Sequence, residues 1–347
     1  MTQVQSQHNG GDGKTALGVL SASGGELVGS FFIFTAIYLV SALSPALYGP
    51  SLFLIAIATG LAYGVMTLVF GRLSGGQFNP AVTLAAMLTY KTKFLDGICY
   101  IIAQVLGGIF AGALARYIIP TSTIATGKMW FANAVNGFDK NSLSATQLAN
   151  AKVTFGVWFA IAVELIAVII IVAVAMRTLD GDGKATSASA LAMGAAYALG
   201  VTFTYPVTGA SLNPARSTGI ALFTMKSGLT LNPANQLWLF WICPILAAAI
   251  VALVLIIGQL ISDKTVKGGH AQADVAFDAE AVNGEGQVDF DAVVASGSED
   301  ASDSKAEGQD SFEMPSLDSA ADPAYDASDS ASAADEDAKS DSEASEK

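Results

Sequence analysis

The sequence predicts an all-α membrane protein, with six transmembrane helices and two re-entrant half-helices arranged as an inverted repeat. Three observations predict it. Of the 347 residues 52% are apolar, and the mean hydropathy is positive, too apolar for a soluble globule of this length. Six runs are long enough to cross a bilayer as helices, which takes roughly 20 apolar residues each. Two shorter apolar stretches, each about half a span, stand at matching places in the two halves of the chain.

In chain order, the first span is placed near 18–43 and carries Glu26, and the second lies near 51–71. The stretch "GGQFNPAVTL" at 76–85 then opens a half-length apolar segment over 79–89, and the third span follows at 95–119. The second half repeats this order. Glu164 lies in the span at 153–177, the next span is at 186–206, "GASLNPARST" at 209–218 opens the half-length segment 213–224, and the last span is at 236–262. Glu26 and Glu164 stand 138 positions apart, and Asn79 and Asn213 stand 134 apart. Each half therefore reads as a helix with a buried Glu, a helix, a half-helix and a helix. Three spans per half is an odd number, so the second half is inserted upside down.

The expected organisation is a short cytoplasmic N-terminus over 1–17, a membrane domain over 18–262 with halves at about 18–119 and 153–262, and an acidic tail over 263–347. Charge is divided the same way. Residues 268–347 hold 22 Asp/Glu against 3 Lys/Arg, whereas the preceding residues hold 8 against 14. The acidic isoelectric point of about 4.4 thus describes the tail, not the membrane domain. The tail is rich in Ala, Ser, Asp and Glu without sustained periodicity and reads as a disordered, solvated segment. An even number of spans puts both termini on one side. Lys and Arg concentrate on cytoplasmic flanks. With the termini inside, the inner set is Lys14, Arg72, Lys91, Lys93, Arg177, Lys184, Lys264 and Lys267, and the outer set is Arg116, Lys128, Lys140, Lys152 and Lys226. The expectation is a multi-pass protein of the cell (plasma) membrane with both termini cytoplasmic. The N-terminus has no signal-peptide layout. Cys99 and Cys243 sit in apolar stretches and read as free, buried thiols.

Asn-Pro-Ala occurs a third time, in "LTLNPANQLW" at 229–238. Pro suits the first turn of a helix, where it has no needed N–H to lose, and Asn ahead of it can cap that helix. The first two copies each head a half-span. Asn232 instead precedes a full-length span, with Asn235, Gln236 and Trp238 after it, and reads as an ordinary interfacial helix start. Two half-helices meeting N-terminus to N-terminus aim two positive dipole ends at one point.

The motifs "SGGQFNPAVTL" and "TGASLNPARS", each preceded by a membrane Glu, resemble those of the aquaporin (major intrinsic protein) family over about residues 18–262. The resemblance implies an aquaporin-like fold and a passive channel, with Asn79, Pro80, Ala81, Asn213, Pro214 and Ala215 at its centre. There the two Asn amides would donate to passing water, and with Arg216 the dipoles would raise a barrier to protons and cations. It places Arg216 at a constriction together with Thr59, Val201 and Ala210. Strict water channels typically carry an aromatic residue and a His where Thr59 and Val201 stand, so this filter is wider and less polar. Glycerol facilitators usually carry Asp where Ser217 stands, and Ala221, Phe240 and Trp241 match the water-channel pattern. The expected cargo is therefore water plus small neutral solutes such as glycerol, with a strict water channel as the alternative. Gln77 stands where many relatives carry His, which removes a pH gate based on that His. Ala210 stands where some relatives carry a mercury-reactive Cys, so weak mercury block is expected. The resemblance also implies a homotetramer in the lipid bilayer.

Glu26 and Glu164 read in two ways. Each can accept backbone N–H groups of a re-entrant loop, or the pair can relay protons in a coupled secondary transporter. Symmetric placement favours the first. Small residues recur four apart at Gly25/Gly29, Gly60/Gly64 and Gly108/Gly112, which permits close helix crossings. No enzyme, cofactor, metal or nucleic-acid partner is expected. The "DGDG" at 180–183 is too short for a calcium loop, and His8 and His270 stand alone in the polar ends.

Overall fold

The structure, a computed structural model, describes residues 16–230 and 232–280. The proposed disorder of the far tail, together with His8, lies outside those residues. The described residues fall into two units, 16–270 and 271–280, the second being the end of the last helix.

The elements follow the expected order. They are α1 (Ala16–Tyr48), α2 (Leu52–Ser74), α3 (Pro80–Leu88), α4 (Phe94–Ile118), α5 (Gly127–Phe131), α6 (Ala145–Ala149), α7 (Val157–Thr178), α8 (Ser189–Thr208), α9 (Pro214–Thr224) and α10 (Leu239–Glu280). Among the described residues six stretches are long and apolar enough to cross a membrane: α1, α2, α4, α7, α8 and Pro233–Ser262, which takes in the first part of α10. In hydrocarbon every backbone polar group must be satisfied within the protein, and a helix does this locally. No strand occurs among the described residues, only an isolated bridge between Leu179 and Ala185.

The half-helices α3 and α9 are the short elements, and α2 and α8 lead into them. Each of those two helices ends on a glycine in the left-handed region, Gly75 at φ 102° and Gly209 at φ 74°. That conformation suits glycine, and it turns the chain back toward the protein centre. The core gathers around α3 and α9, with Phe34, Tyr38, Phe78, Tyr197, Leu212 and Ile220 fully or almost fully buried.

One expectation, that both cysteines are buried, is corrected. The last helix, α10, runs to Glu280, past the boundary expected at 263. Extending an existing helix adds a hydrogen bond per residue fixed, without a new nucleus, so the span carries helix into polar sequence. Cys99 is exposed on α4, and only Cys243 is buried. A span that is apolar all round gives no sequence signal for which face meets protein and which meets lipid. Asn232 heads the last span, Pro233–Ser262, but through a turn rather than an α-helix. It caps a short 3₁₀ turn, Pro233–Gln236, accepting from the Ala234 N–H at 3.0 Å, and α10 begins only at Leu239. The turn directs Gln236 sideways, where its amide accepts from Phe138 N (3.0 Å) and donates to Phe138 O (3.1 Å).

The glycine pairs do allow close approach. A methyl added at Gly60 on α2 would stand 2.5 Å from the Gly194 carbonyl oxygen on α8, and one at Gly194 would stand 2.9 Å from the Gly60 carbonyl oxygen. Gly108 and Gly112 on α4 face the backbone of α9 at Ala215 and Gly219, while Gly25 and Gly29 meet the side chains of Leu73 and Phe78. Gly194→Leu is accordingly expected to lower stability by about 1–3 kcal/mol through overpacking. Thermal unfolding in detergent, followed by loss of helical circular dichroism, reads this out; an unchanged midpoint would contradict the close crossing.

Candidate functional site

The two half-helices meet head to head. Asn79 Oδ1 accepts the Ala81 N–H at 2.9 Å, and Asn213 Oδ1 accepts those of Ala215 (2.9 Å) and Arg216 (3.4 Å). Each Asn therefore caps its own helix, with Pro80 or Pro214 in the first turn. The amide nitrogens reach across. Asn79 Nδ2 donates to Leu212 O at 2.9 Å, and Asn213 Nδ2 donates to Phe78 O at 2.7 Å. The accepting residues lie in the left-handed region, Phe78 at φ 45° and Leu212 at φ 55°. Non-glycine residues pay for that conformation. Here it turns each carbonyl toward the opposite asparagine.

Glu26 and Glu164 hold the loops that lead into these helices. Glu26 accepts the N–H groups of Gln77 (2.9 Å) and Phe78 (2.6 Å), the Ser74 hydroxyl and the Gln104 amide (2.8 Å). Glu164 accepts the N–H groups of Ser211 (3.0 Å) and Leu212 (2.9 Å) and the Thr208 hydroxyl. The two loop N–H groups and the hydroxyl are equivalent in the two halves, the Gln104 amide is an addition at Glu26, and both carboxyl groups are fully buried. Each carboxylate thus satisfies donors that non-helical backbone would otherwise leave unpaired.

Thr59, Val201, Ala210 and Arg216 come together. All four line one narrow cavity, with Ile37, Ile55 and the rings of Tyr63 and Tyr197, and it leaves room for roughly one water. Arg216 is almost fully buried; its guanidinium donates to Asn136 Oδ1, while its Nε has no partner. Its backbone carbonyl accepts the Tyr38 hydroxyl. Asn136 also accepts the Ser217 hydroxyl at 2.7 Å and donates to the carbonyls of Thr208 (3.1 Å) and Gly209 (2.9 Å). One loop side chain therefore ties the arginine to the end of α8.

The centre differs from expectation in one respect. The Asn amides were expected to donate to water, but each has both N–H groups taken by protein. Besides the crossing carbonyls, Asn79 Nδ2 donates to the Tyr197 hydroxyl (2.8 Å) and Asn213 Nδ2 to the Tyr63 hydroxyl (2.9 Å). The two tyrosine rings stack on each other, 3.3 Å between centroids and 4° from parallel.

Sequence reasoning missed Asn136, Tyr63 and Tyr197. Asn136 carried no signal, because nothing in a polar loop says which asparagine folds back. The tyrosines did carry one: they stand 134 positions apart, the same offset as Asn79 and Asn213. Gln77 donates to Thr92 Oγ1 at 2.8 Å, and Trp241 to Thr218 Oγ1 at 3.0 Å. The 180–183 turn is closed by Asp180 Oδ1, which accepts the N–H groups of Asp182 (3.0 Å) and Lys184 (2.8 Å). Among the described residues no cluster of three or more His, Cys, Asp or Glu forms a metal site.

Comparison with known proteins agrees with this architecture. The family model described as major intrinsic protein matches residues 16–255. Aquaporin Z of Photorhabdus laumondii subsp. laumondii is 32% identical over 196 residues, covering 56% of this chain and 78% of that protein. Aquaporin Z of Brucella melitensis biotype 1 is 32% identical over 204 residues, covering 58% and 80%. The X-ray structure of the aquaglyceroporin from Plasmodium falciparum superposes with a TM-score of 0.50 at 19% identity, covering 68% of this chain and 93% of that one, a likeness of fold. Six spans, two head-to-head half-helices and a family match over most of its length make this chain a member of the major intrinsic protein family, membrane channels rather than enzymes.

Proposed function

We propose that the chain is a passive channel for water and small neutral solutes such as glycerol, which rejects protons and ions. The observation that carries this reading is the cavity on which Thr59, Val201, Ala210 and Arg216 converge. Two of its walls are the small side chains of Thr59 and Ala210, and Val201 adds no polar contact. The cavity as it stands holds about one water, and a wall of this kind offers few polar contacts that would enforce passage of water alone, which supports carriage of small neutral solutes. A buried arginine and two helix N-termini at one place oppose cations. The carboxylates of Glu26 and Glu164 are engaged with loop donors, which supports a holding role rather than proton relay. We further place the protein in the cell membrane as a homotetramer with both termini cytoplasmic, which the family resemblance and the distribution of Lys and Arg support.

A strict water channel is the second reading. Ser217 and the similarity to two proteins named aquaporin Z favour it.

Stopped-flow measurements on proteoliposomes separate the two. Water and glycerol permeability are both expected above those of protein-free vesicles, and neither is expected to follow an imposed pH gradient. Raised water flux with glycerol at the protein-free level would establish strict water selection. Glycerol uptake driven by a proton gradient would instead point to a coupled transporter.

The three asparagines make a second test. Asn213→Ala removes a cap worth about 1 kcal/mol together with the amide that crosses to Phe78, and water permeability should fall toward that of protein-free vesicles. Asn232→Ala removes only the exposed cap of a 3₁₀ turn and should leave permeability unchanged. Equal losses in the two variants would contradict the assignment of Asn79 and Asn213 as the functional pair.

A further inference from the structure

Resting on that reading of the chain as a channel, we propose that Tyr63 and Tyr197 form its limiting constriction. The pair, rather than the ring around Arg216, decides what passes, and the passage is closed until the two rings part.

Four observations carry this. The rings lie parallel with 3.3 Å between centroids, which is van der Waals contact, so no water fits between them. The cavity beside Arg216 is lined by both tyrosines and by neither Asn79 nor Asn213, and both asparagines are fully buried. This cavity therefore ends at the tyrosine pair and Leu212, short of the two asparagines. The two N–H groups of each asparagine amide are already spoken for, one by a carbonyl and one by a tyrosine hydroxyl. Finally, the pair obeys the repeat: each tyrosine follows, by three residues, the glycine at which α2 and α8 cross, Gly60 before Tyr63 and Gly194 before Tyr197.

The closed arrangement is built to be exchanged. Aromatic rings prefer offset or edge-on contacts, with centroids roughly 4.5–7 Å apart, over a face-to-face sandwich. The stack is therefore held by the glycine crossing and by the two hydroxyl–amide bonds more than by the attraction of the rings. A solute oxygen that accepts from Asn79 or Asn213 replaces a tyrosine oxygen like for like, and the number of satisfied donors does not change. Water and polyols carry such oxygens. A cation cannot accept from an amide, so it has nothing to exchange. Selectivity for hydroxyl-bearing molecules over cations then arises at the centre of the protein, behind a filter whose own side chains are small.

The test is osmotic water permeability per protein copy in proteoliposomes, with wild type beside Tyr63→Val/Tyr197→Val and Tyr63→Phe/Tyr197→Phe. Helical circular dichroism and a single gel-filtration peak are required of each preparation. If the open arrangement is occupied about a tenth of the time, removing both rings raises permeability roughly tenfold. The phenylalanine pair keeps both rings and the glycine crossing but loses the two hydroxyl–amide bonds, and should fall between wild type and the valine pair. If the valine pair does not fold, Tyr197→Val alone removes one face of the stack and should give the same direction. Wild type conducting as fast as the valine variant overturns the inference and leaves the channel reading standing. A phenylalanine pair as fast as the valine pair also overturns it, because the rings would then not be the barrier. Wild type and valine variants both at the protein-free level overturn the inference and the channel reading together.

Discussion

Non-helical backbone buried at membrane depth has no water to turn to, and the rest of this fold depends on how that demand is met. Two carboxyl groups meet it. Glu26 on α1 and Glu164 on α7 each take two successive loop N–H groups and a hydroxyl from the helix before the loop. With the loops fixed, α3 and α9 can start at the centre of the protein instead of crossing it. Their first residues then satisfy one another: each asparagine caps its own helix with its oxygen and holds the opposite loop with its nitrogen. The half-helices are thus joined by their own unsatisfied ends, which is an economical use of groups that every helix N-terminus exposes.

Arg216 shows the same logic one turn further on. A guanidinium this deeply buried needs acceptors, and the loop side chain of Asn136 supplies one while donating to the last carbonyls of α8. The charge is held at the edge of a cavity whose other walls are mostly apolar, so its field acts where little water screens it. Loop, arginine and span end form one unit. The position of the charge is therefore set by the packing between spans rather than by α9 alone.

Much of this was legible in the sequence. Span number and order follow from length and apolarity, and the half-helices from being too short to cross. Asn79, Asn213, Glu26, Glu164 and Arg216 stood out because a polar residue in an apolar run is conspicuous. What escaped has a common cause: it depends on a partner distant in sequence. Asn136 looks like any loop asparagine until Arg216 is beside it. Tyr63 and Tyr197 look like span aromatics until α2 and α8 cross at glycine. Cys99 and the outer limit of α10 escaped for another reason, since uniform apolarity hides a helix's faces and helix propagation ignores a change in composition. The third Asn-Pro-Ala is instructive here. Asn232 makes the same local cap as the other two, accepting from the residue two positions on. The three differ in what surrounds the amide nitrogen, not in the motif.

The crossing of α2 and α8 has one more consequence. Because the two halves are inverted copies, Gly60 faces Gly194, and Tyr63 faces Tyr197. A position on that line meets its own counterpart rather than an unrelated neighbour. Side-chain bulk there is counted twice, once from each half, so the bore at the centre takes only coarse steps in width when both members change. Fine adjustment of the opening requires the two halves to become different from each other.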